Sequence, residues 1–368
     1  MARIAFIEVT ATVSYGGVQT AVWKLAEALT ELGHEITVFG GTPATPMAGR
    51  VAVRAFPFTP RERVPDIGSR FRRLIERLSF AHHARAAVAT GGYDWAIVNK
   101  PFDFFWPWIL PRGCTTRFAF MSGGTDFIPG DRWLARRING WLACSHFNAW
   151  QIHARYKRWP TVIYNGVDIE AFAPQPDDAV RARFGIASDT VLFAFAGRLV
   201  GWKGMGVALR ALADPALRQT NTKLLIVGDG PQKPELKQLA QTLDVAERVL
   251  FHDPVPHDQL PGLYGAADAG VFPSIGDEAF GITIAEAMSC GKPVIASHIG
   301  GIPEVVGNEG SCGLLVAPGD VRALAGAMRA LALDPVRRKI MGQAARTRIA
   351  REFTWTASAR RMSEGLCL

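Results

Sequence analysis

The sequence predicts an α/β protein built as two parallel-sheet units in tandem, and three observations agree on that class. Its 368 residues exceed what one hydrophobic core usually serves and fit about two domains. In both halves, short apolar, β-branched runs alternate with stretches of helical periodicity, the pattern of strand–helix–strand crossovers. A segment rich in Pro, Asn, Gly and Asp, VIYNGVDIEAFAPQPDD (162–178), separates the halves as a linker would.

RIAFIEV (3–9) reads as the first strand and SYGG (14–17) as the break after it. TAVWKLAEALTELGH (20–34) sets Val22, Leu25, Ala26 and Leu29 at helical spacing and stops at Gly33. EITVFG (35–40) and DWAIVN (94–99) follow as strands, and TRFAFMSGGTDF (116–127) as a strand running into a loop. Between them, SRFRRLIERLSFAHHARAAVA (69–89) is a long helix, with an apolar stripe of Phe71, Leu74, Ile75 and Leu78 amid Arg70, Arg72, Arg73 and Arg77. It is either a surface helix with a solvated basic face or a helix lying on an anionic membrane. The aromatic run FDFFWPWIL (102–110) suits an interface or a core strand equally. The second half offers strands at TVLFAFAG (190–197), TKLLIVGDG (222–230), RVLFHD (248–253), AGVFPS (269–274) and KPVIAS (292–297), and a helical tail from Asp334 onward.

Composition narrows the function classes. With 48% hydrophobic and 20% charged residues the chain is an ordinary globular one. No run of about 18 apolar residues appears, and the N-terminus reads as a buried strand rather than a leader. The expected location is the cytoplasm, with peripheral attachment at the inner face of the membrane as a further option. Five scattered cysteines form no C-x-x-C pair, so neither a disulfide framework nor a metal site is expected. Residues 1–166 carry 20 Lys and Arg against 11 Asp and Glu, whereas the rest of the chain is nearly balanced. That asymmetry implies an anionic partner for the first half.

The chemistry gathers where second-half strands end, the place where open α/β sheets bind ligands. Arg198 and Lys203, in GRLVGWKG, form a glycine-flanked cationic loop suited to a diphosphate. In EAFGITIAEAMSCGKPVIA (278–296), Glu278 falls in the loop before a helix and Glu286 about one turn inside it. The free amides of Gly281, Ile282 and Thr283 lie between them, a natural anion site. A phosphate with a hydroxyl-binding carboxylate on each side describes a nucleotide sugar.

Together, GRLVGWKG, GDGP and EAFGITIAEAMSCGKPVIAS followed by IGGIPEVV resemble the donor domain of glycosyltransferase family 4, retaining enzymes of the GT-B fold. YGGVQT after the first strand and the linker YNGVDIEAF resemble the family too. The resemblance implies two Rossmann-like domains facing across a cleft: an acceptor-binding domain over 1–166 and a donor-binding domain over 167–353. A final helix (354–368) would cross back to the first. It implies that Glu278 binds donor-sugar hydroxyls, Glu286 the ribose, Arg198 and Lys203 the leaving diphosphate, and Gly281, Ile282 and Thr283 contribute amides. Gly16 and Gly17 would let the first loop approach the diphosphate. The donor would be a UDP- or GDP-sugar, with no metal and no cofactor, since no Asp-x-Asp element appears.

The acceptor is expected to be a glycan or lipid-linked hydroxyl of cell-surface polysaccharide or lipopolysaccharide synthesis, with Arg70, Arg72, Arg73 and Arg77 as a possible membrane contact. Where many family members place a histidine on the acceptor side, this chain has Ser122, Thr125 and Asp126. Asp126 either orients an acceptor hydroxyl or caps a turn. Three rival readings fit less well. A nicotinamide oxidoreductase lacks its G-x-G-x-x-G, a GT-B nucleotide-sugar epimerase would release only an isomer, and a basic nucleic-acid module leaves the furnished strand ends unexplained.

Overall fold

In the computed structural model, residues 1–14, 16–43, 50–124, 127–175 and 177–368 are described. Asp126 and Thr125 lie outside them. The chain divides into two compact units, Met1–Gly166 with Trp355–Leu368, and Val167–Thr354.

The first unit holds seven parallel strands: β1 (Arg3–Ile7), β2 (Glu35–Gly41), β3 (Ala52–Phe56), β4 (Trp95–Val98), β5 (Arg117–Ser122), β6 (Gly140–Ala143) and β7 (Thr161–Val162), in the order β3-β2-β1-β4-β5-β6-β7. The period-2 alternation of β1 sends Ile4 and Phe6 to one face and Ala5 and Ile7 to the other, so each face has its own core. On the first face lie α1 (Gly17–Glu31) and a C-terminal helix, whose Trp355, Ala359, Met362 and Leu366 join Leu25 and Leu29 in one cluster. The opposite face is covered by α2 (Ser69–Thr90), α3 (His146–Tyr156) and an aromatic cluster.

Two sequence expectations are corrected here. The run at 102–110 is not a strand: it folds as a short 3-10 turn, Pro101–Asp103, and one helical turn, Trp106–Ile109. Its Phe104 and Trp106 are core, with Phe104 edge-on to Phe120 at 4.9 Å between ring centres, so these rings offer nothing to a membrane interface. On α2, the side chains facing the core are Arg77, Phe80, Ala81, Ala84 and Val88, while Phe71 and Leu78 are 40% exposed. Of the apolar stripe, Phe71 and Leu78 are exposed and Leu74 and Ile75 half-buried. Arg77 is therefore not a surface cation: it is buried, with Nη2 donating to Glu8 at 3.1 and 3.2 Å and Nη1 donating to Asp103.

The second unit repeats the design with six parallel strands: β8 (Val191–Ala196), β9 (Thr222–Val227), β10 (Val249–His252), β11 (Ala269–Phe272), β12 (Val294–Ser297) and β13 (Gly313–Val316). Their order, β10-β9-β8-β11-β12-β13, matches the first six strands of unit 1 position for position. In each sheet the direction of winding reverses once, between β1 and β4 and between β8 and β11. Ligands bind open α/β sheets at such switch points. Helices α4 (Ile282–Ser289) and α5 (Pro335–Glu352) belong to this unit, and α6 (Trp355–Leu366) is the C-terminal helix of the first.

Candidate active site

The switch point of unit 2 is furnished from both sides. The loop after β8 carries Arg198, which is exposed, and a 3-10 turn Gly201–Lys203. The loop after β11 carries Glu278. Backbone bonds stitch the two together, with Ile275 N donating to Trp202 O at 2.7 Å and Gly276 N to the same oxygen at 3.2 Å. Gly204 makes that approach possible: it has φ +70°, and a Cβ there would stand 1.9 Å from Pro273 O.

The result is a direct ion pair between Lys203 Nζ and Glu278, both side chains only 16% exposed, with the ammonium also over the Trp202 ring at 4.4 Å. The Glu278 backbone is clasped from behind by the IGG turn: Gly301 N donates to Glu278 O at 2.8 Å. Gly300, at φ +61°, would bring a Cβ to 2.2 Å from that oxygen.

Helix α4 starts at this site. Gly281 caps it in the left-handed region, and its first amides lack intrahelical partners, as at every helix start. Glu286 follows one turn in and is 3% exposed. Its Oε1 lies 2.7 Å from His257 Nε2, while its Oε2 is buried without a hydrogen-bond partner. Burial pushes its carboxyl above the usual carboxylate range, against the opposing pull of His257. Ser297 Oγ, at the end of the adjoining β12, is likewise buried and unpartnered. Unsatisfied buried polar atoms are few in folded proteins, and groups awaiting a ligand are one cause. Among the described residues, no group of three or more His, Cys, Asp and Glu could hold a metal ion.

Lys203 and Glu278 thus meet in one contact, Arg198 shares their loop cluster, and Gly281, Ile282, Thr283 and Glu286 form the adjoining helix start. Gly16 and Gly17 open α1 in the other unit, Gly16 as its N-cap. Ser122 ends β5 with its hydroxyl bonded to Gly124 O at 3.0 Å, so that group shapes its own loop. Sequence reasoning missed His257. It stands 29 residues before Glu286 in the loop VPHDQLP after β10, and no spacing rule joins a residue there to α4.

The switch point of unit 1 opens into a cavity of about 270 Å³. Glu8 and Thr10 follow β1, Lys100 and Phe102 follow β4, and Arg73, Glu76 and Arg77 descend from α2. Glu8 and Arg77 of its lining join Asp103 in a buried cluster. Burial pushes the Asp103 carboxyl up to about 6 despite Arg77. Burial acts on Glu8 in the same sense, but the Arg77 charge and the Thr10 hydrogen bonds outweigh it and hold Glu8 below its ordinary value.

Two doubly wound parallel sheets of one strand order are the Rossmann-like pair of the GT-B class. The chain belongs to glycosyltransferase family 4. The family model described as Glycosyltransferase Family 4 matches residues 15–171, and that described as Glycosyl transferases group 1 matches 176–348. The GDP-mannose-dependent alpha-(1-6)-phosphatidylinositol monomannoside mannosyltransferase of Mycolicibacterium smegmatis is 30% identical over 95% of this chain and 94% of its own. The D-inositol 3-phosphate glycosyltransferase of Corynebacterium glutamicum is 37% identical, over 55% of this chain and only half of its own length.

Among solved structures, the sucrose-phosphate synthase of Thermosynechococcus elongatus superposes with a TM-score of 0.83 at 24% identity, covering 99% of this chain and 98% of its own. Anabaena HepE, solved with UDP and glucose, gives 0.77 at 24% identity over the full length of both chains. These likenesses establish the fold. Membership makes the chain a hexosyltransferase-type enzyme.

Proposed function

We propose that this enzyme transfers a sugar from a UDP- or GDP-sugar, with retention of anomeric configuration and without a metal, to a hydroxyl of a glycan or lipid-linked acceptor in cell-surface polysaccharide or lipopolysaccharide synthesis. The observation that carries this reading is the Lys203–Glu278 contact at the β8/β11 switch point, beside the start of α4. An ammonium has three donors, so Lys203 can hold Glu278 and still give two N–H groups to phosphate oxygens. Glu278, fixed by Lys203 and by the Gly300–Gly301 turn, accepts hydrogen bonds from sugar hydroxyls. The unpartnered Oε2 of Glu286 and the α4 amides suit a ribose and a phosphate side by side.

As the anomeric C–O bond breaks, charge builds on the β-phosphate oxygen. Lys203, Arg198 and the α4 amides aim at that charge and favour the transition state over the ground state. The acceptor oxygen enters from the face the diphosphate leaves, and its proton passes to the departing phosphate. No protein nucleophile is needed, and the anomeric configuration is kept.

GDP-mannose is the first donor to test, because the Mycolicibacterium relative is named for it. The cavity between β1 and β4 is the proposed seat of the acceptor headgroup, with Arg61, Arg73, Arg77 and Lys100 outnumbering Glu8 and Glu76. Peripheral membrane attachment rests on the outer stripe of α2, where Phe71 and Leu78 stand exposed beside Arg70. The test is a thermal-shift and transfer assay over UDP, GDP and their sugars, with and without a chelator. Stabilisation by one nucleotide, transfer that survives chelation and a product of unchanged anomeric configuration are expected. Indifference to all the nucleotides, or an inverted product, defeats the proposal.

A further inference from the structure

The pairing of a half-exposed histidine with a buried glutamate is not accounted for by transfer chemistry. We propose that His257 is a positioning residue of the donor site, which ties Glu286 through Oε1 so that Oε2 alone faces the nucleotide and the site demands a ribose diol. The inference rests on the reading of Glu286 as the ribose contact, and goes beyond it by naming what makes that contact selective.

The geometry separates the two oxygens. His257 begins the 3-10 turn His257–Gln259 in the loop after β10, and its ring, 52% exposed, reaches Glu286 Oε1 at 2.7 Å. Behind it, fully buried Phe172 lies 5.1 Å from the imidazole centre at a tilt of 55°, steering the ring from the protein side. The hydroxyl of buried Tyr264, whose charge interaction with Glu286 marks it as a neighbour, donates instead to Thr283 O at 3.2 Å. Pinning the loop to α4 needs only Oε1 and leaves unexplained why Oε2 is buried with no protein hydrogen-bond partner, at a desolvation penalty. A carboxylate held at one oxygen has lost its rotamer freedom before the ligand arrives, so the ribose hydroxyls meet a preorganised acceptor. Without that tether, a glutamate has three rotatable bonds with which to swing away.

Removing the hydrogen bond therefore erases preference for the diol and leaves phosphate affinity alone. The test is calorimetric titration of GDP and 2′,3′-dideoxy-GDP, and the corresponding UDP pair, against wild type, His257→Phe, His257→Gln and Glu286→Gln. Phenylalanine keeps a ring on Phe172 and loses the bond, whereas glutamine keeps an N–H donor. Wild type should prefer the ribonucleotide by about 10-fold or more, the scale of one hydrogen bond to a charged group. His257→Phe should reduce that preference to under about 3-fold by weakening the ribonucleotide only. His257→Gln should restore most of it. Unchanged dideoxynucleotide affinity shows that each variant is folded.

If Glu286→Gln keeps the full preference, the ribose reading of Glu286 fails. If Glu286→Gln abolishes it and His257→Phe keeps it, Glu286 stands and the role of His257 is overturned. Failure of wild type to bind either nucleotide overturns both.

Discussion

At the scale of single residues, two glutamates eight positions apart have different surroundings and should fail differently. Glu278 is an ion-paired loop carboxylate beside the sugar site, and Glu286 a buried helix carboxylate tied to a histidine. Glu278→Gln should lower kcat by about 100-fold or more with little change in donor KM, as expected when an oriented transition-state contact is lost. Glu286→Gln should mainly raise donor KM. Steady-state kinetics with a single donor separates them, and equal losses of melting temperature with matching kinetics would make both merely structural. The sequence carried the residues, but not the partner that distinguishes them. Lys203 meets Glu278 across 75 positions because β8 and β11 are neighbours, and strand order is invisible in a linear pattern.

The Arg77 cluster makes a second residue-scale prediction. One guanidinium serves two buried carboxylates, so Arg77→Met strips both of their counter-charge, leaving Glu8 only its Thr10 bonds, and should cost about 3–5 kcal/mol, read as a large drop in melting temperature. Asp103 adds a pH signature. Its pKa in the fold, about 6, is above the ordinary 3.8, so the folded state binds its proton more tightly than the unfolded chain does. Its contribution is then most favourable below about pH 4 and declines as pH rises to about 6. Comparing wild type with Asp103→Asn across that window reads the effect, since Glu8, whose pKa is lowered and whose contribution is lost as pH falls, acts in the opposite sense. A difference that is flat between pH 4 and 6, or that runs the other way, contradicts the assignment.

At the scale of elements, the strands of strong apolar pattern were legible and the weak ones were not. Central β1, β4, β8 and β11 are near-continuous apolar runs because both of their faces are buried. Edge β3 reads AVRAF with three exposed residues, and β7 is only two residues long, so neither has a period to find. Helix α2 is legible over nearly its whole span, but the burial of Arg77 is not. Its charged Arg77 lies on the buried side because Glu8 and Asp103 lie there to receive it, and no amphipathic pattern contains that information.

The exposed apolar side chains of α2 make its membrane role testable. Phe71→Ser with Leu78→Ser, at positions 40% exposed, should leave stability within about 1 kcal/mol. Adding Arg70→Glu should abolish flotation with anionic vesicles. Phe80→Ser, 2% exposed and in the core, should instead unfold unit 1. Vesicle binding that survives the triple change removes the membrane role from this helix.

At the scale of the whole molecule, the chain leaves unit 1 at Gly166 and returns to it at Trp355, so unit 1 is discontinuous and unit 2 is not. Unit 2 closes on itself: Val167 N donates to Phe353 O at 2.8 Å, and Val167 pairs with Thr354, joining the ends of that unit. Unit 1, by contrast, depends on a helix encoded about 190 residues after its last strand. Within α6, Trp355, Met362 and Leu366 are each at least 92% buried in the cluster that contains Leu25 and Leu29 of α1. At roughly 1.5–3 kcal/mol for each large apolar side chain, these three alone are comparable with the 5–15 kcal/mol net stability of a typical domain. Ending the chain at Thr354 should therefore expose the outer face of α1 and leave unit 1 unfolded or aggregated, while unit 2 keeps every contact it owns. The truncated protein should still be stabilised by the nucleotide in thermal shift, with one cooperative transition remaining where the full chain has more buried surface to melt. Appending 355–368 to residues 1–166 through a flexible linker should restore a folded unit 1. A truncated chain that melts like the full one shows that α6 is dispensable.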